Sequence, residues 1–197
     1  FGERTGIDLT SESSGLMPTP EWKSRRHKQI WYPGDTVNIG IGQGYWLATP
    51  LQLAHATAAI AMRGKRIRPR VLRGVRTAKD EPERLLEPEL IAHIPSQNSK
   101  DWERVVNAMV HVMHSSYGTA RGSGKDAKFT IAGKTGTAQV RKNGKPTTLA
   151  WFLGYMPAEN PQVADVYVYG IAASSGAPGE KDIVVAVVPQ PRINFCA

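Results

Sequence analysis

The sequence holds one cysteine, Cys196, which excludes an internal disulfide and any cysteine-built zinc site. It also lacks a long apolar run; crossing a bilayer takes about 20 consecutive apolar residues, and no stretch here comes close. The first residue is Phe1, with no initiator methionine and no charged start leading into an apolar segment. A leader or anchor is therefore either absent or outside these residues. Acidic side chains are in deficit, 17 Asp and Glu against 25 Lys and Arg, for a formal net charge of +8. The cations cluster at Lys23, Arg25, Arg26, His27 and Lys28 and again at Arg63, Lys65, Arg66, Arg68, Arg70 and Arg73. Neither cluster alternates with aromatics to offer bases a stacking platform, so nucleic acid is not the expected partner. Solvated faces are the simplest account.

What is present reads as globular. A 41% apolar fraction over 197 residues supports one domain or part of a larger one. Residues 1–46 are rich in glycine, proline and polar side chains, with Pro18, Pro20 and Pro33 expected to break any long helix and Pro20–Lys23 to form a turn or a single helical turn. Gly40, Gly42 and Gly44 are spaced G-x-G-x-G, not as a dinucleotide fingerprint, and predict a tight turn. Thr49 followed by Pro50 is a helix start, and Gly64 its stop, with His55 a partly buried helix residue. Lys65–Arg76 predicts a strand or hairpin, and Glu81–Pro95 a mostly exposed acidic segment.

A second helix is predicted over Ser99–Ser115, with Ser99 as cap and Trp102, Val105, Val106, Met109, Val112 and Met113 as its apolar stripe. His111 and His114 on it lack a third ligand or an H-E-x-x-H pattern, so no metal is expected. Tyr117–Lys125, with three glycines, predicts a flexible loop. From Lys128 the pattern turns to strands. Asn143-Gly144 signals a type I′ hairpin pairing the Lys134 strand antiparallel with Thr148–Tyr155, and a turn at Pro157–Pro161 leads to a third strand, Val163–Ile171. Three strands with two helices packed on them give an α+β fold.

The chemistry concentrates in Lys134-Thr135-Gly136-Thr137-Ala138. A cation, hydroxyls and an exposed backbone side by side on a strand suit a carboxylate, and a glycine inside a strand marks the approach of another backbone or a ligand. With Gly118-Thr119-Ala120 before this strand, Ala150-Trp151-Phe152 on the next, and Gly42-Gln43-Gly44-Tyr45-Trp46 and Thr49-Pro50-Leu51-Gln52-Leu53 upstream, the chain resembles the C-terminal part of the class B penicillin-binding proteins, those of the elongation type most closely. The resemblance runs from Phe1 to about Gly170. Beyond it, Ser174–Gly179 supplies the family's glycine-rich loop, but Ile183–Val188 is β-branched and a poor match to the amphipathic helix the family places there.

The resemblance implies the penicillin-recognising fold, a five-stranded antiparallel sheet with helices on both faces, and acyl transfer through a serine activated by a lysine in an S-x-x-K motif. No serine here, from Ser11 to Ser175, has lysine at the third position after it. Ser96-Gln97-Asn98 spells S-x-N, but the family's own S-x-N belongs further upstream, so this one is read as a coincidence. The nucleophile is expected before Phe1, and these residues alone are expected to be inactive. By resemblance Lys134 helps hold charge and protonation in the cleft, Thr135 and Thr137 hold the carboxylate of a D-alanine terminus or a β-lactam, Gly136 leaves room, and the Thr137 N–H forms half of the oxyanion hole. The implied partners are peptidoglycan stem peptides, β-lactams and a membrane glycan polymerase, with the catalytic domain on the periplasmic side of an inner-membrane protein and no cofactor. A non-catalytic homologue or remnant that binds wall peptide or a membrane partner is the alternative; a β-lactamase or antibiotic sensor fits the Gly42–Leu53 stretch less well.

Overall fold

The computed structural model describes residues 1–98, 100–142, 145–172 and 183–187. Helices α1 (Pro20–His27), α2 (Pro33–Gly40) and α3 (Pro50–Ala61) come first, followed by short strands β1 (Lys65–Ile67), β2 (Gly74–Val75), β3 (Arg84–Leu85) and β4 (Leu90–His93). Helices α4 (Asp101–His114) and α5 (Arg121–Gly124) then lead into β5 (Ala132–Lys142), β6 (Lys145–Met156), β7 (Val163–Ala172) and β8 (Ile183–Val187). The long strands form one antiparallel sheet in the order β5-β6-β7-β8. The meander is the predicted one, and α+β holds. The Asn143-Gly144 turn, Ser99 as a cap and the Ser174–Gly179 loop lie outside the described residues. Among the described residues this sheet has four strands: three are the predicted meander, and the fourth, β8, is the β-branched tail segment, a strand where the resemblance implies a helix.

Each predicted helix is explained by its ends. Thr49 and Gln52 of α3 bond reciprocally, Gln52 N–H to Thr49 Oγ1 at 3.1 Å and Thr49 N–H to Gln52 Oε1 at 2.9 Å. Gly64, at φ +91°, then turns the chain away; a Cβ there would meet the Ile94 carbonyl oxygen and the Trp102 ring. On α4, Asp101 Oδ2 accepts from the Asn98 N–H and the Ser96 hydroxyl. The Ser96-Gln97-Asn98 string is thus the lead-in to a helix. At about 1.5 Å per residue, the length of α4 separates it from the strand end of the helix, where His114 Nε2 accepts the Ile131 N–H at 2.9 Å.

Three expectations fail. Pro20–Lys23 is not a turn or a single helical turn but the start of a helix that runs to His27, and Pro33 likewise opens a short helix, because proline at the first helical position has no N–H to lose. Thr19 Oγ1 caps α1 by accepting the Trp22 N–H, and Asp35 holds the Tyr32 N–H at the start of α2. Lys23 is not on a solvated face: it is buried, 2.6 Å from Asp35 Oδ2 and 4.8 Å from the centre of the Tyr32 ring, and ties α1 to α2. This lysine also holds the Asp35 carboxyl below the usual range, helped by the Tyr32 N–H. Glu81–Pro95 is mostly exposed, as expected, and within it β4 pairs with β1 and β3 with β2. Its acids meet the second basic cluster, Glu89 bonding Arg68 and Arg70 and Glu83 facing Arg73, and so offset part of that cluster's charge. Finally, the predicted Tyr117–Lys125 loop contains α5.

The core lies where α3 and α4 meet one face of the sheet. Ala58 and Ala61 of α3 and Val106 and Met109 of α4 pack with Ala132, Tyr155, Ala158 and Ala164, and the register Ala132↔Tyr155↔Ala164 puts the three strand residues on that same face. Small residues let the helix sit close to the strands. Tyr155 is fully buried with no hydrogen-bond partner for its hydroxyl, and burial pushes its pKa up to about 12.

His55 of α3 is buried and hydrogen-bonds through Nε2 to the Ile67 carbonyl at 2.9 Å. Burial, seconded by Arg66, pulls its pKa below 6.5 against that bond. A histidine depressed in the folded state leaves the unfolded chain with more bound protons between the two pKa values, so stability is complete above about 6.5 and is lost as pH falls. The melting temperature of the whole protein is expected to drop between pH 7 and pH 5, and Gln in place of His55 should flatten that interval. A wild-type curve already flat across it would refute this assignment.

Candidate functional site at the β5 edge

Strand β5 begins the sheet order, so one of its two sides has no strand neighbour among the described residues. Lys134, Thr135, Gly136 and Thr137 follow one another along it, opposite Leu153, Phe152, Trp151 and Ala150 of β6. Side chains alternate on a strand, so Thr135 and Thr137 share one face and Lys134 and Gly136 the other. Backbone groups alternate as well: in an antiparallel pair every second residue turns both its N–H and its C=O away from the partner. Here the outward residues are identified by what reaches them. The Thr137 carbonyl accepts Gln43 Nε2 at 3.1 Å, and the Thr135 carbonyl accepts Lys134 Nζ at 2.5 Å. Thr135 and Thr137 therefore present their N–H and C=O groups to the open edge, while Gly136 spends its own on β6.

Three features build this edge. Gly133 lets β5 pass under the Phe152 ring and Met113 Sδ, which a Cβ would meet at 2.6–2.8 Å and 3.1 Å. Gly118 lets the chain turn hard against the end of α4, where a Cβ would run into the carbonyl oxygens of His111 and Val112. That turn, with the Ala120 N–H bonded to the Val112 carbonyl, delivers Thr119 to the strand, its Oγ1 3.1 Å from Thr135 Oγ1. The third is the glycine-rich turn after α2. Gly42 and Gly44 have φ of +74° and +73°, the Gln43 N–H bonds the Asn38 carbonyl at 2.8 Å, and the Gln43 side chain crosses to β5.

Chemically the edge offers a cation, three threonine hydroxyls and two outward peptide groups. Lys134 is exposed and makes no ion pair among the described residues. Gly136 is exposed and in ordinary extended backbone; a Cβ there would find only Trp151 Cβ, at 3.5 Å. Nothing in the fold demands glycine at this position. The four residues singled out in the sequence are thus adjacent on one accessible line. The resemblance puts the glycine-rich Gly42–Trp46 turn near the catalytic cleft, but the Gln43 bond to β5 and the placement of Thr119 against Thr135 were not foreseen. No group of three His, Cys, Asp or Glu side chains able to hold a metal ion occurs among the described residues, and His114 is engaged with Ile131.

Comparison with known proteins gives a consistent answer. Residues 1–181 match the model of the penicillin-binding protein transpeptidase domain. The chain is 37% identical over 193 residues to the peptidoglycan D,D-transpeptidase MrdA of Haemophilus influenzae, covering 90% of this chain and 29% of the relative. It is 40% identical over 187 residues to the protein of the same name from Acinetobacter baumannii, covering 86% and 26%. Among solved structures, Pseudomonas aeruginosa PBP2 in complex with WCK 5153 superposes with a TM-score of 0.74 at 40% identity, over 89% of this chain and 38% of that one. Helicobacter pylori PBP2 in complex with MreC gives a TM-score of 0.65 at 32% identity, over 96% and 30%. The chain thus spans under a third of the length of these curated relatives.

Proposed function

Because this chain belongs to the penicillin-binding protein transpeptidase family, we propose that it is the C-terminal part of the catalytic domain of a serine D,D-transpeptidase that cross-links stem peptides during wall elongation. The observation that carries this is the β5 edge, where Thr135 and Thr137 turn their backbone groups outward and their hydroxyls to one face, and where Lys134 Nζ reaches the Thr135 carbonyl and makes no ion pair among the described residues. An extended peptide can add to such an edge as one more strand. Its terminal carboxylate then meets the Thr135 and Thr137 hydroxyls and the Lys134 charge, and the outward Thr137 N–H faces the oxygen on which negative charge develops.

The nucleophile is a serine of an S-x-x-K motif in a part of the protein outside these 197 residues. Its oxygen forms the acyl bond as the terminal D-alanine leaves with a proton, and an amine from a second stem peptide takes the acyl group over. β-Lactams enter the same site as acylating ligands. The protein is proposed to work at the inner membrane with its catalytic domain in the periplasm, alongside a glycan polymerase. The Helicobacter pylori PBP2 was solved in complex with MreC, and an MreC-like partner, distinct from the polymerase, is proposed here as well. Among the described residues no helix is long and apolar enough to cross a membrane.

The reading to be separated from this one is a homologue that binds wall peptide without turnover. Labelling the whole protein with a fluorescent penicillin, and mapping the labelled residue by mass spectrometry, separates the two. Label on an S-x-x-K serine is the expected result. No label, or no such serine, leaves the binding reading in its place.

A further inference from the structure

We propose that Gln43 is a positioning residue for acyl transfer, holding the outward face of Thr137 in the geometry that the reaction requires. The inference rests on the transpeptidase reading of the β5 edge. Gln43 Nε2 donates to the Thr137 carbonyl across 94 positions of sequence. The turn that carries it is itself fixed: Gly42 N–H bonds Ile39 O at 2.9 Å, Gln43 N–H bonds Asn38 O at 2.8 Å, and two glycines take the left-handed backbone it needs. A flexible side chain is thus presented from a rigid base to one carbonyl.

As a stabilising contact this bond achieves little, because it is exposed and ordering a glutamine offsets most of what one such hydrogen bond contributes. Its effect is geometric. A residue inside a sheet has its peptide planes held from both sides, whereas Thr137 is held by β6 only through its neighbours. Gln43 supplies the missing restraint. The carbonyl it grips and the N–H proposed as oxyanion donor belong to the same residue, so fixing one limits the rocking of the other. Oxyanion donors work by being in place before charge develops, and a loosely held donor forfeits part of its effect.

Acylation of the whole protein by a fluorescent penicillin, followed by stopped flow, tests this. With Gln43→Glu the donor is gone and an oxygen faces an oxygen. The acylation rate constant at saturation should fall about tenfold, a fraction of the roughly 10²–10³ that follows from deleting an oxyanion donor outright. The half-saturating concentration should change by less than about threefold, since the peptide-binding edge is intact. Gln43→Lys, which restores an N–H donor of similar reach, should recover to within about threefold of the wild type. Melting temperatures should not move. An unchanged rate constant in Gln43→Glu overturns the inference while leaving the transpeptidase reading standing. Equal losses in both variants together with lower melting temperatures overturn it too, by making the bond a structural tie. If the unsubstituted protein takes no label, the transpeptidase reading fails first and this inference fails with it.

Discussion

Lys134→Ala is expected to slow β-lactam acylation of the whole protein by at least about a hundredfold, the scale set by removing one charged group from a preorganised site. The fold should not register the change. Lys134 is exposed, forms no ion pair among the described residues, and its one described hydrogen bond runs to the carbonyl of the next residue. Substitutions at such positions shift stability by about 0.5 kcal/mol or less. A cation placed on an open edge without an acid to neutralise it keeps its full attraction for an arriving carboxylate. Stopped-flow acylation and a thermal melt on the same sample decide the matter. Loss of rate with an unchanged melt supports the clamp, while an unaffected rate removes Lys134 from the site.

The largest contrast should come from two glycines three residues apart on the same strand. Gly133→Val puts side-chain carbons into the Phe152 ring and against Met113 Sδ, at a buried position where both neighbours would have to shift. Overpacking of this kind costs about 1–3 kcal/mol or more, so the melting temperature should fall by several degrees. Gly136→Val meets nothing closer than Trp151 Cβ at 3.5 Å and adds a residue type that strands favour. Its melt should match the wild type, yet acylation should drop sharply because the branched side chain stands where the ligand must approach the strand. A Gly136→Val protein that folds and acylates normally would show that nothing approaches β5 there. One that fails to fold would show that the strand itself needs the glycine.

Much of this was legible in the sequence where the signal was local. Thr49-Pro50 announced α3, the apolar spacing from Trp102 to Met113 announced α4, and the strand pattern from Lys128 with the Asn143-Gly144 pair announced β5 and its antiparallel partner. Elements that exist only because of distant partners were not legible. Helices α1 and α2 have eight residues each and are joined by Lys23 and Asp35, a pair that reads in sequence as one more cation and one more acid. The β1–β4 pairing involves strands of three and four residues, too short for alternation to show; Arg68 and Glu89 clip it, while Asp8 accepts the N–H groups of Val71 and Leu72 from more than 60 positions away. At the candidate site, the residue types on β5 could be named from order alone. Which of them turn outward depended on Gln43, and a glutamine in a glycine-rich turn carries no mark of the strand it touches.

The open side of β5 has a cost for the molecule as a whole. A strand that must stay free to receive a peptide is equally available to any other extended chain, a second copy included, and unsatisfied edges of this sort are where proteins stick to themselves. The lysine standing on that edge and the +8 charge of the chain give two copies reason to repel before their backbones can pair. The same positive charge that draws in an anionic substrate thus also protects solubility, and variants that neutralise the edge should be watched for self-association before any loss of activity is ascribed to chemistry.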